Sequence, residues 1–360
     1  MPLIWCSISA HGYGHAAQAV PVLNALGRRL GDLRIIVRTQ VPRTYFDGRL
    51  AGRWEHSDEQ QDVGCIQHGP LDIDEPATWR AHDAFEAAWA ARLDAECRLL
   101  EQHRPDLVIS AISYLSVAAA ARVGIKAVAV GSLSWDTVLG FFESSKEARH
   151  RELITSITER YATADLLLRA APALQFPAFP HRIDIRPIAE PLPAERDTLR
   201  KAVGALGDER IVLVGFGGIP IDGLPLAAMD AMPGYRFVVG GRVAPGLKRL
   251  TTLDAVGLPF RSVLSSCDLL VTKPGYSTFV EAVAVQVPIL YVRRYNFADE
   301  QTLIEYAERY GRARELSRKD FEDGAWSAAM QDIRAAAPPS EAPPPPRGAE
   351  DAAEQIVRYL

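Results

Sequence analysis

The stretch that decides the fold is Cys267 to Glu281, which reads Cys-Asp-Leu-Leu-Val-Thr-Lys-Pro-Gly-Tyr-Ser-Thr-Phe-Val-Glu. An apolar run at 269–271 leads into a Lys-Pro-Gly turn, and Ser277 opens a segment whose apolar residues have helical spacing. The pattern predicts a buried strand, a tight turn and the start of a helix.

Two hydroxyl side chains fall where this helix leaves its first backbone N–H groups unpaired. Ser277 and Thr278 would therefore border an anion site, and Glu281 follows about one turn later on the same side. A phosphate at the hydroxyls and a sugar hydroxyl at the carboxylate would fit this spacing. An ordinary N-cap with a capping-box glutamate has the same S/T-x-x-E pattern, so both interpretations stay open.

The composition is that of an ordinary globular protein. The 360 residues are 48% hydrophobic and 24% charged, which allows two domains of usual size. A net charge of -5 gives no general attraction to nucleic acid. The four cysteines are widely spaced, which favours a cytoplasmic protein without a zinc site of the usual spacing. We expect neither a signal peptide nor a membrane-spanning segment.

The chain begins with a second strand–turn–helix pattern. An apolar strand at 3–9 precedes the turn His11-Gly-Tyr-Gly-His15, and a helix is predicted at 16–30 before a strand at 34–39. This is the start of a doubly wound parallel sheet. Gly12, Gly14 and Ala17 also fit a dinucleotide fingerprint, but no acidic residue ends the second strand, so only an NADP interpretation through Arg38 remains.

The rest of the first half also alternates between predicted strands and predicted helices. Strands are predicted at 62–67, 106–110, 126–130 and, as the last one, 166–169; helices are predicted at 76–103, 113–123 and 146–162. The loop at 131–136 includes Trp135 and Asp136 and follows a strand end, where ligands of open α/β sheets collect.

Dense prolines at 171–193 predict a domain boundary, after which a second α/β unit begins. Its first strand, at 211–214, ends in Gly215-Phe-Gly-Gly218, which is either a second phosphate cradle or a simple tight turn. Strands follow at 236–239 and 289–292, and a helix from Asp299 to Tyr310. Residues 338–346 are proline-rich, and a short amphipathic segment closes the chain at 352–360.

Two histidines on the first glycine-rich turn are candidate proton-transfer groups. His15 would lie at a helix N-terminus, whose positive end keeps the imidazole neutral and able to accept a proton. His11 and His15 could instead only hydrogen-bond the turn. Asp72 and Asp74 match the Asp-x-Asp pattern of metal-held diphosphates, but they lie in the first half, so we interpret them as a solvated loop and expect no metal.

These motifs together resemble the two-domain glycosyltransferases of the GT-B fold, in which two Rossmann-like domains face each other across a cleft. The second half is similar to the nucleotide-binding domain of family 28, the undecaprenyl N-acetylglucosaminyl transferase type. A more detailed resemblance is to the glycosyltransferase-like N-terminal region of plant L-arabinokinases. It rests on the turn from His11 to His15, Trp135-Asp136, the stretch 273–278, Arg293-Arg294 and the stretch 62–74. The sugar-kinase half of those proteins has no counterpart in this sequence, so kinase activity is not expected.

The resemblance implies a role for each site residue. His15 would be the acceptor base; the Asp that usually partners it is replaced by the sequence Ser-Ala-Ile-Ser at 110–113, so Asp136 would substitute, or this route is not used. His11, Gly12, Gly14 and Trp135 would border the acceptor. On the nucleotide side the resemblance implies Gly217, Gly218, Ser277 and Thr278 at the phosphates, Glu281 at the ribose, Glu300 and Gln301 at the donor sugar, and the main chain near Phe260 at the base; Lys273 and Gly275 belong to the same nucleotide site.

We therefore expect a metal-independent glycosyltransferase without a cofactor, which moves a sugar from a nucleotide donor, UDP-linked, to an unknown small-molecule, lipid or glycan hydroxyl with inversion. The alternatives are a nucleotide-sugar 2-epimerase and an inactive nucleotide-sugar-binding protein. The expected domains are 1–185 on the acceptor side and 186–337 for the nucleotide sugar, then a linker at 338–348 and a helix at 349–360 that packs back on the first domain.

Overall fold

The computed structural model describes residues 1–218 and 223–360, so part of the predicted second domain, at 219–222, lies outside the described residues. The chain forms two parallel sheets, each covered by helices on both faces. The five inner strands of the first sheet are mostly buried, as expected when a parallel sheet is covered on both faces, whereas its two edge strands are largely exposed or half-buried. The strands of this sheet are β1 (Leu3–Ile8), β2 (Arg34–Arg38), β3 (Arg53–Ser57), β4 (Leu107–Ala111), β5 (Ala127–Gly131), β6 (Leu166–Ala170) and β7 (Arg182–Ile185).

Helices connect these strands, and a further helix follows the last of them. They are α1 (Gly14–Leu30), α2 (Arg43–Phe46), α3 (Glu75–Ala87), α4 (Trp89–His103), α5 (Leu115–Val123), α6 (Trp135–Phe141), α7 (Ala148–Tyr161) and α8 (Arg196–Ala202).

The second sheet and its helices follow the same plan. Its strands are β8 (Arg210–Val214), β9 (Tyr235–Val239), β10 (Leu250–Thr252), β11 (Leu269–Thr272), β12 (Ile289–Tyr291) and β13 (Ala313–Glu315). Its helices are α9 (Leu226–Asp230), α10 (Leu253–Val256), α11 (Phe260–Ser266), α12 (Tyr276–Ala284), α13 (Glu300–Tyr310), α14 (Arg318–Asp323), α15 (Ser327–Ala335) and α16 (Gly348–Ile356).

The strand orders of the two sheets correspond. The first is β3-β2-β1-β4-β5-β6-β7 and the second is β10-β9-β8-β11-β12-β13. Each order reverses direction once, between β1 and β4 and between β8 and β11, and such switch points leave a crevice beyond the carboxyl ends of the strands. The GT-B expectation of two Rossmann-like units is therefore confirmed, and both glycine-rich turns lie at a switch point.

Several predicted elements of the first lobe are wrong. The segment 62–67 is a loop rather than a strand, and the strand next to β2 is β3, whose alternating exposed and half-buried residues gave no apolar run. The long helix expected at 76–103 is broken at Ala88 into α3 and α4. The last strand of the sheet is β7, and α6 begins inside the expected loop, at Trp135.

On one side of the cleft, each lobe buries one apolar side chain in the core of the other. Leu71, from a hairpin of the first lobe, is buried in the core of the second lobe, and Phe297, after β12, is buried among first-lobe residues. Arg318 of α14 donates two hydrogen bonds to the Asp72 carboxylate, at 2.9 and 3.3 Å. These contacts hold the two lobes together at the edge of the cleft.

On the other side, the connection between the lobes is anchored by Tyr276. Its hydroxyl donates to Ala171 O at 2.9 Å and accepts from Ile188 N–H at 3.0 Å. Helix α16 packs along α1, and Asp351 on α16 is paired with Arg186. Among the described residues, no helix combines the length and the apolar character needed to cross a bilayer.

Candidate functional site at the cleft

A cavity of about 830 Å³ lies between the two lobes. It is bordered by the turn before α1 from one side and by the turn before α12 from the other. Domain interfaces are common positions for ligand sites. The predicted site residues that line this cavity are His11, Gly12, Gly14, His15, Gly217, Gly218, Phe260, Lys273, Gly275, Ser277, Thr278 and Glu281.

The start of α12 opens into this cavity. Gly275 is the N-cap residue, no side chain caps the helix, and the first intrahelical bond runs from Phe279 N–H to Gly275 O. Ser277 and Thr278 lie in the first turn, whose N–H groups have no helical partner. The Ser277 hydroxyl makes a long contact of 3.4 Å with Gly14 O of the facing lobe. This helix start can therefore receive an anion.

The Glu281 side chain points into the same cavity and does not act as a capping-box residue. It is half-buried and is hydrogen-bonded to no group among the described residues. Burial raises its pKa to about 7, an effect that the positive charges of Arg261 and Arg49 oppose. A carboxylate with free lone pairs, one turn from an open helix start, suits the hydroxyls of a ribose.

Lys273 and Arg294 add positive charge next to this helix start. Burial and the nearby Arg294 lower the pKa of the Lys273 amine, and its ammonium group is hydrogen-bonded to no described residue. The Arg294 guanidinium is fixed by Glu300 at 2.8 Å and by Pro274 O at 3.1 Å, and its charge lies over the Phe297 ring, 4.0 Å from the centroid. Both side chains line the cavity, where a bound diphosphate would favour the charged form of Lys273 and be compensated by it and by Arg294.

The start of α13 presents Asp299 to the cavity rather than the two predicted residues, Glu300 and Gln301. Glu300 is only 1% exposed, and its oxygens accept from Arg294 N, Arg294 Nε and Tyr295 N. Gln301 is exposed and donates to Glu305 at 3.0 Å. Neither lines the cavity, whereas Asp299 does, and its Oδ1 atom is buried without a hydrogen bond.

The second glycine-rich turn follows β8 and faces the cleft. Gly217 and Gly218 have φ values of 71° and 80°, in the left-handed region that favours glycine. A Cβ on Gly218 would lie 2.4 Å from the Tyr13 ring of the first lobe, and one on Gly215 would lie 3.0 Å from Phe260. The backbone of Gly217 remains open to the cavity, as a phosphate cradle requires.

His11 is held by hydrogen bonds at both ring nitrogens. Its Nδ1 accepts from Cys65 N–H at 3.2 Å, and Nε2 lies 2.8 Å from the side-chain amide of Gln67. Since Nδ1 accepts, the neutral ring carries its proton on Nε2, and a flip of the Gln67 amide would place its oxygen, otherwise without a partner among the described residues, against that proton. Burial lowers its pKa to about 3, and the charges of His15, Arg294 and Lys273 contribute. His11 therefore serves as a fixed, neutral wall of the cleft, stacked on Phe297.

His15 lies in the first turn of α1 and differs from His11 in having no hydrogen-bond partner among the described residues. Burial lowers its pKa to about 4, so the ring is neutral at pH 7. Its ring packs edge-on against Trp135, with centroids 5.6 Å apart. A neutral imidazole with a free nitrogen can accept a proton from a hydroxyl in the cleft.

The two residues at the start of α6 support the site from behind and do not line the cavity. Trp135 is fully buried and donates from Nε1 to Asp62 at 2.9 Å. Asp136 is also buried, and its carboxylate accepts from Thr158 at 3.3 Å rather than from His15. Burial raises the pKa of Asp136. Its assignment as a catalytic partner is therefore not supported by a contact with His15.

Asp62 occupies a position that the sequence did not single out for a role. Its carboxylate accepts from Ser9 at 2.9 Å and from Trp135, and burial raises its pKa to about 7. Because Trp135 touches both His11 and His15, Asp62 holds the wall behind the two imidazoles. The available signal was weak: Asp62 ends a polar run and directly precedes the short apolar segment at 63–66.

In the structure, the residues behind two other sequence patterns, NADP binding through Arg38 and the Asp-x-Asp pattern at 72–74, have structural partners. Arg38 is buried and paired with Glu96 at 2.6 Å, so it cannot receive the 2′-phosphate of NADP. Asp72 binds Arg318, and Asp74 caps α3 by accepting from Ala77 N–H at 2.8 Å. Their Asp-x-Asp pattern thus has structural roles, which corrects the expectation of a purely solvated loop.

The chain has two lobes, each built on a parallel sheet with a matching strand order, and a helix start from each lobe opens into the cleft between them. This arrangement defines the GT-B fold. Solved structures share it. CalG4, the calicheamicin glycosyltransferase, superposes with a TM-score of 0.65 at 16% identity and covers 100% of this chain and 98% of its own. A putative UDP-N-acetylglucosamine 2-epimerase from Listeria monocytogenes superposes with a TM-score of 0.58 at 14% identity and covers 99% and 94%.

Sequence comparison gives a more particular relative. L-arabinokinase from Arabidopsis thaliana is 28% identical over 333 residues, which cover 90% of this chain and 31% of that protein. The chain thus spans about a third of the length of the curated relative it matches. The resemblance to the plant L-arabinokinases is confirmed at this level. No protein-family model matches the chain.

Proposed function

We propose that the protein transfers a sugar from a UDP-linked donor to a hydroxyl acceptor, with inversion at the anomeric carbon. The observation that carries the proposal is the pairing, across one cavity, of an open helix start at Ser277 and Thr278 with the unpartnered imidazole of His15. GT-B glycosyltransferase neighbours support a transferase at the level of the fold.

In the proposed reaction, His15 accepts the proton of the acceptor hydroxyl while its oxygen attacks the anomeric carbon. The bond from that carbon to the diphosphate breaks, and the leaving diphosphate keeps the electron pair. The first N–H groups of α12, with Lys273 and Arg294, meet its charge, so the proposal includes no metal. Glu281 holds the ribose, Asp299 the donor sugar, and a cytoplasmic location belongs to the same proposal.

The donor is tested by a thermal-shift panel of UDP, GDP, dTDP and their sugars, followed by an assay of UDP release. A ligand at 100 times its dissociation constant stabilises the native state by about 2.7 kcal/mol, so UDP should raise the melting temperature clearly above GDP and dTDP. A flat panel would overturn the proposal.

Among the residues that the structure describes, His15 has no acidic partner, which favours one further candidate, a protein that binds nucleotide sugars without turnover. It predicts the same stabilisation by UDP and UDP-sugars but no release of UDP in the presence of any acceptor. The two candidates are therefore separated by the second half of the same experiment.

A further inference from the structure

Gln18 is a buried polar residue on the acceptor side for which the reaction described above has no use. It lies on α1 three residues after His15, so the two side chains share one face of the helix. Gln18 lines the cleft cavity, yet it is only 3% exposed. Its Nε2 atom makes a long contact of 3.4 Å with the Ser132 hydroxyl, and its Oε1 atom has no hydrogen-bond partner in the part of the chain that the structure describes.

This arrangement is costly unless a ligand completes it. A buried acceptor without a partner destabilises a protein by roughly 1–3 kcal/mol, and an apolar side chain of similar length would avoid that cost. Since the amide is held only by the long contact with Ser132, it can turn towards the cavity at little expense. A hydroxyl that donates to Oε1 would satisfy the atom that the ligand-free protein leaves unpaired.

We propose that Gln18, with Ser132, binds a second hydroxyl of the acceptor, and that the acceptor is a small polyol or sugar rather than a compound with a single hydroxyl. This inference rests on the proposed function, because an acceptor exists only in a transferase. One hydroxyl would face His15 and a second, on an adjacent or alternate carbon, would reach the amide one helical turn away.

The chemistry of the pair favours an uncharged ligand. A carboxamide and a hydroxyl can both donate and accept, which matches the hydroxyl groups of a polyol. The unpaired Oε1 atom would repel a carboxylate or a phosphate, while the Leu133 side chain on the same cavity wall offers an apolar contact to a carbon skeleton. Gln18 is thus a specificity residue, and the proton transfer itself remains with His15.

The test measures equilibrium binding by saturation-transfer NMR on the full chain with saturating UDP. The probes are glycerol, myo-inositol, D-xylose and D-glucose, compared with cyclohexanol and 1-pentanol. We expect at least one polyol to bind more tightly than either single-hydroxyl alcohol. Gln18→Met, which keeps the length of the side chain, should weaken that polyol about tenfold, as expected for one lost hydrogen bond to a buried group.

Two further variants make the result specific. Ser132→Ala should weaken polyol binding about threefold, because the amide remains but loses its support. Gln102→Leu, on the exposed side of α4, is the matched control and should change nothing. Equal binding of polyols and single-hydroxyl alcohols, no polyol binding, or full polyol binding by Gln18→Met would overturn the inference.

The outcomes for the two proposals are separable, because polyol binding is measured without turnover. Polyol binding that depends on Gln18, together with no release of UDP from any donor, would support a polyol site at Gln18 but reject the transferase, and with it the use of that site for an acceptor. Release of UDP, together with polyol binding that is unchanged in Gln18→Met, would support the transferase and reject the role of Gln18.

Discussion

The helix starts after β1 and after β11 each lie at the switch point of one lobe, on strands that do not correspond, and they carry different residues. Both helices begin without a side-chain cap, and both open into the same cavity. The start of α1 carries a neutral imidazole, backed by Trp135 and Asp62. The start of α12 carries hydroxyls, with the unpartnered Glu281 one turn later. The same backbone geometry thus provides a proton acceptor in one lobe and an anion site in the other.

This difference shows which property the fold supplies and which the side chains add. A switch point in a parallel sheet gives each lobe an open helix start, whose positive end favours anions and disfavours a protonated imidazole. The residues placed there decide between the two uses. If the comparison holds, substitutions on α1 should affect turnover or acceptor binding and leave nucleotide binding unchanged, and substitutions on α12 should affect nucleotide binding.

The largest expected effect comes from His15→Ala. Removal of a general base should lower the rate of UDP release about 100- to 10,000-fold, because the acceptor proton then has no receiver. The dissociation constant of UDP, measured by calorimetry, should stay within about twofold. His181→Ala, an exposed histidine, is the control. Loss of UDP binding in His15→Ala would show that this ring has a structural role. It would contradict the assignment of proton transfer to one lobe and nucleotide binding to the other.

On the second helix, Glu281→Ala should weaken UDP roughly 10- to 100-fold, the range for hydrogen bonds to a charged group. The same assay with 2′,3′-dideoxy-UDP sharpens the test, since the wild-type protein should prefer UDP and the variant should not. Glu159→Ala, on the exposed side of α7, should bind as the wild type does. Unchanged affinity in Glu281→Ala would contradict the ribose assignment.

Local sequence patterns were sufficient for the elements that create these helix starts. The continuous apolar runs of β1 and β11, each followed by glycine, predicted strand, turn and helix to within about two residues. They failed for β3, whose residues alternate between exposed and half-buried because it is an edge strand. They also failed at Ala88, where no glycine or proline marks the break between α3 and α4.

The site was harder to predict wherever a side chain depends on long-range contacts. Glu300 and Asp299 are neighbours in sequence. Only the structure shows that the Glu300 carboxylate is hydrogen-bonded to Arg294 in a buried ion pair and does not line the cavity. Asp62 meets Trp135 across 73 residues, and Gln18 approaches Ser132 across 114 residues. No local spacing encodes such pairs, so the sequence indicated Asp136 instead of Asp62 behind the imidazoles.

The start of α13 allows a third test at the same cavity. Asp299→Ala should weaken a UDP-sugar about tenfold relative to UDP itself, because Asp299 lines the cavity and its Oδ1 atom, 3.9 Å from Arg294, still lacks a hydrogen bond among the described residues. Gln301→Ala should leave both affinities within about twofold, since its amide is bound to Glu305 outside the cavity. The opposite pattern would restore Gln301, and with it the arrangement implied by the resemblance.

The smallest expected effect is the pH dependence of UDP binding. With a pKa of about 7, Glu281 loses its proton as pH rises, and the carboxylate accepts ribose hydroxyls better than the protonated acid. The fraction ionised, and with it the affinity contributed by this residue, should rise about threefold from pH 6.5 to 7.5. Because the phosphates of UDP also titrate, the slope is compared with that of Glu281→Gln; equal slopes would reject the role of this carboxylate.

The same carboxyl group predicts an opposite pH dependence for the ligand-free protein. Its pKa in the folded state is raised above the value of the unfolded chain, so between about pH 4.5 and 7 the folded protein binds more protons than the unfolded one. The contribution of Glu281 to stability must then fall as pH rises through this window, and Glu281→Gln should remove that fall in urea unfolding. A group that destabilises the empty protein at neutral pH and strengthens its ligand complex is expected at a binding site, whereas a capping residue would stabilise both.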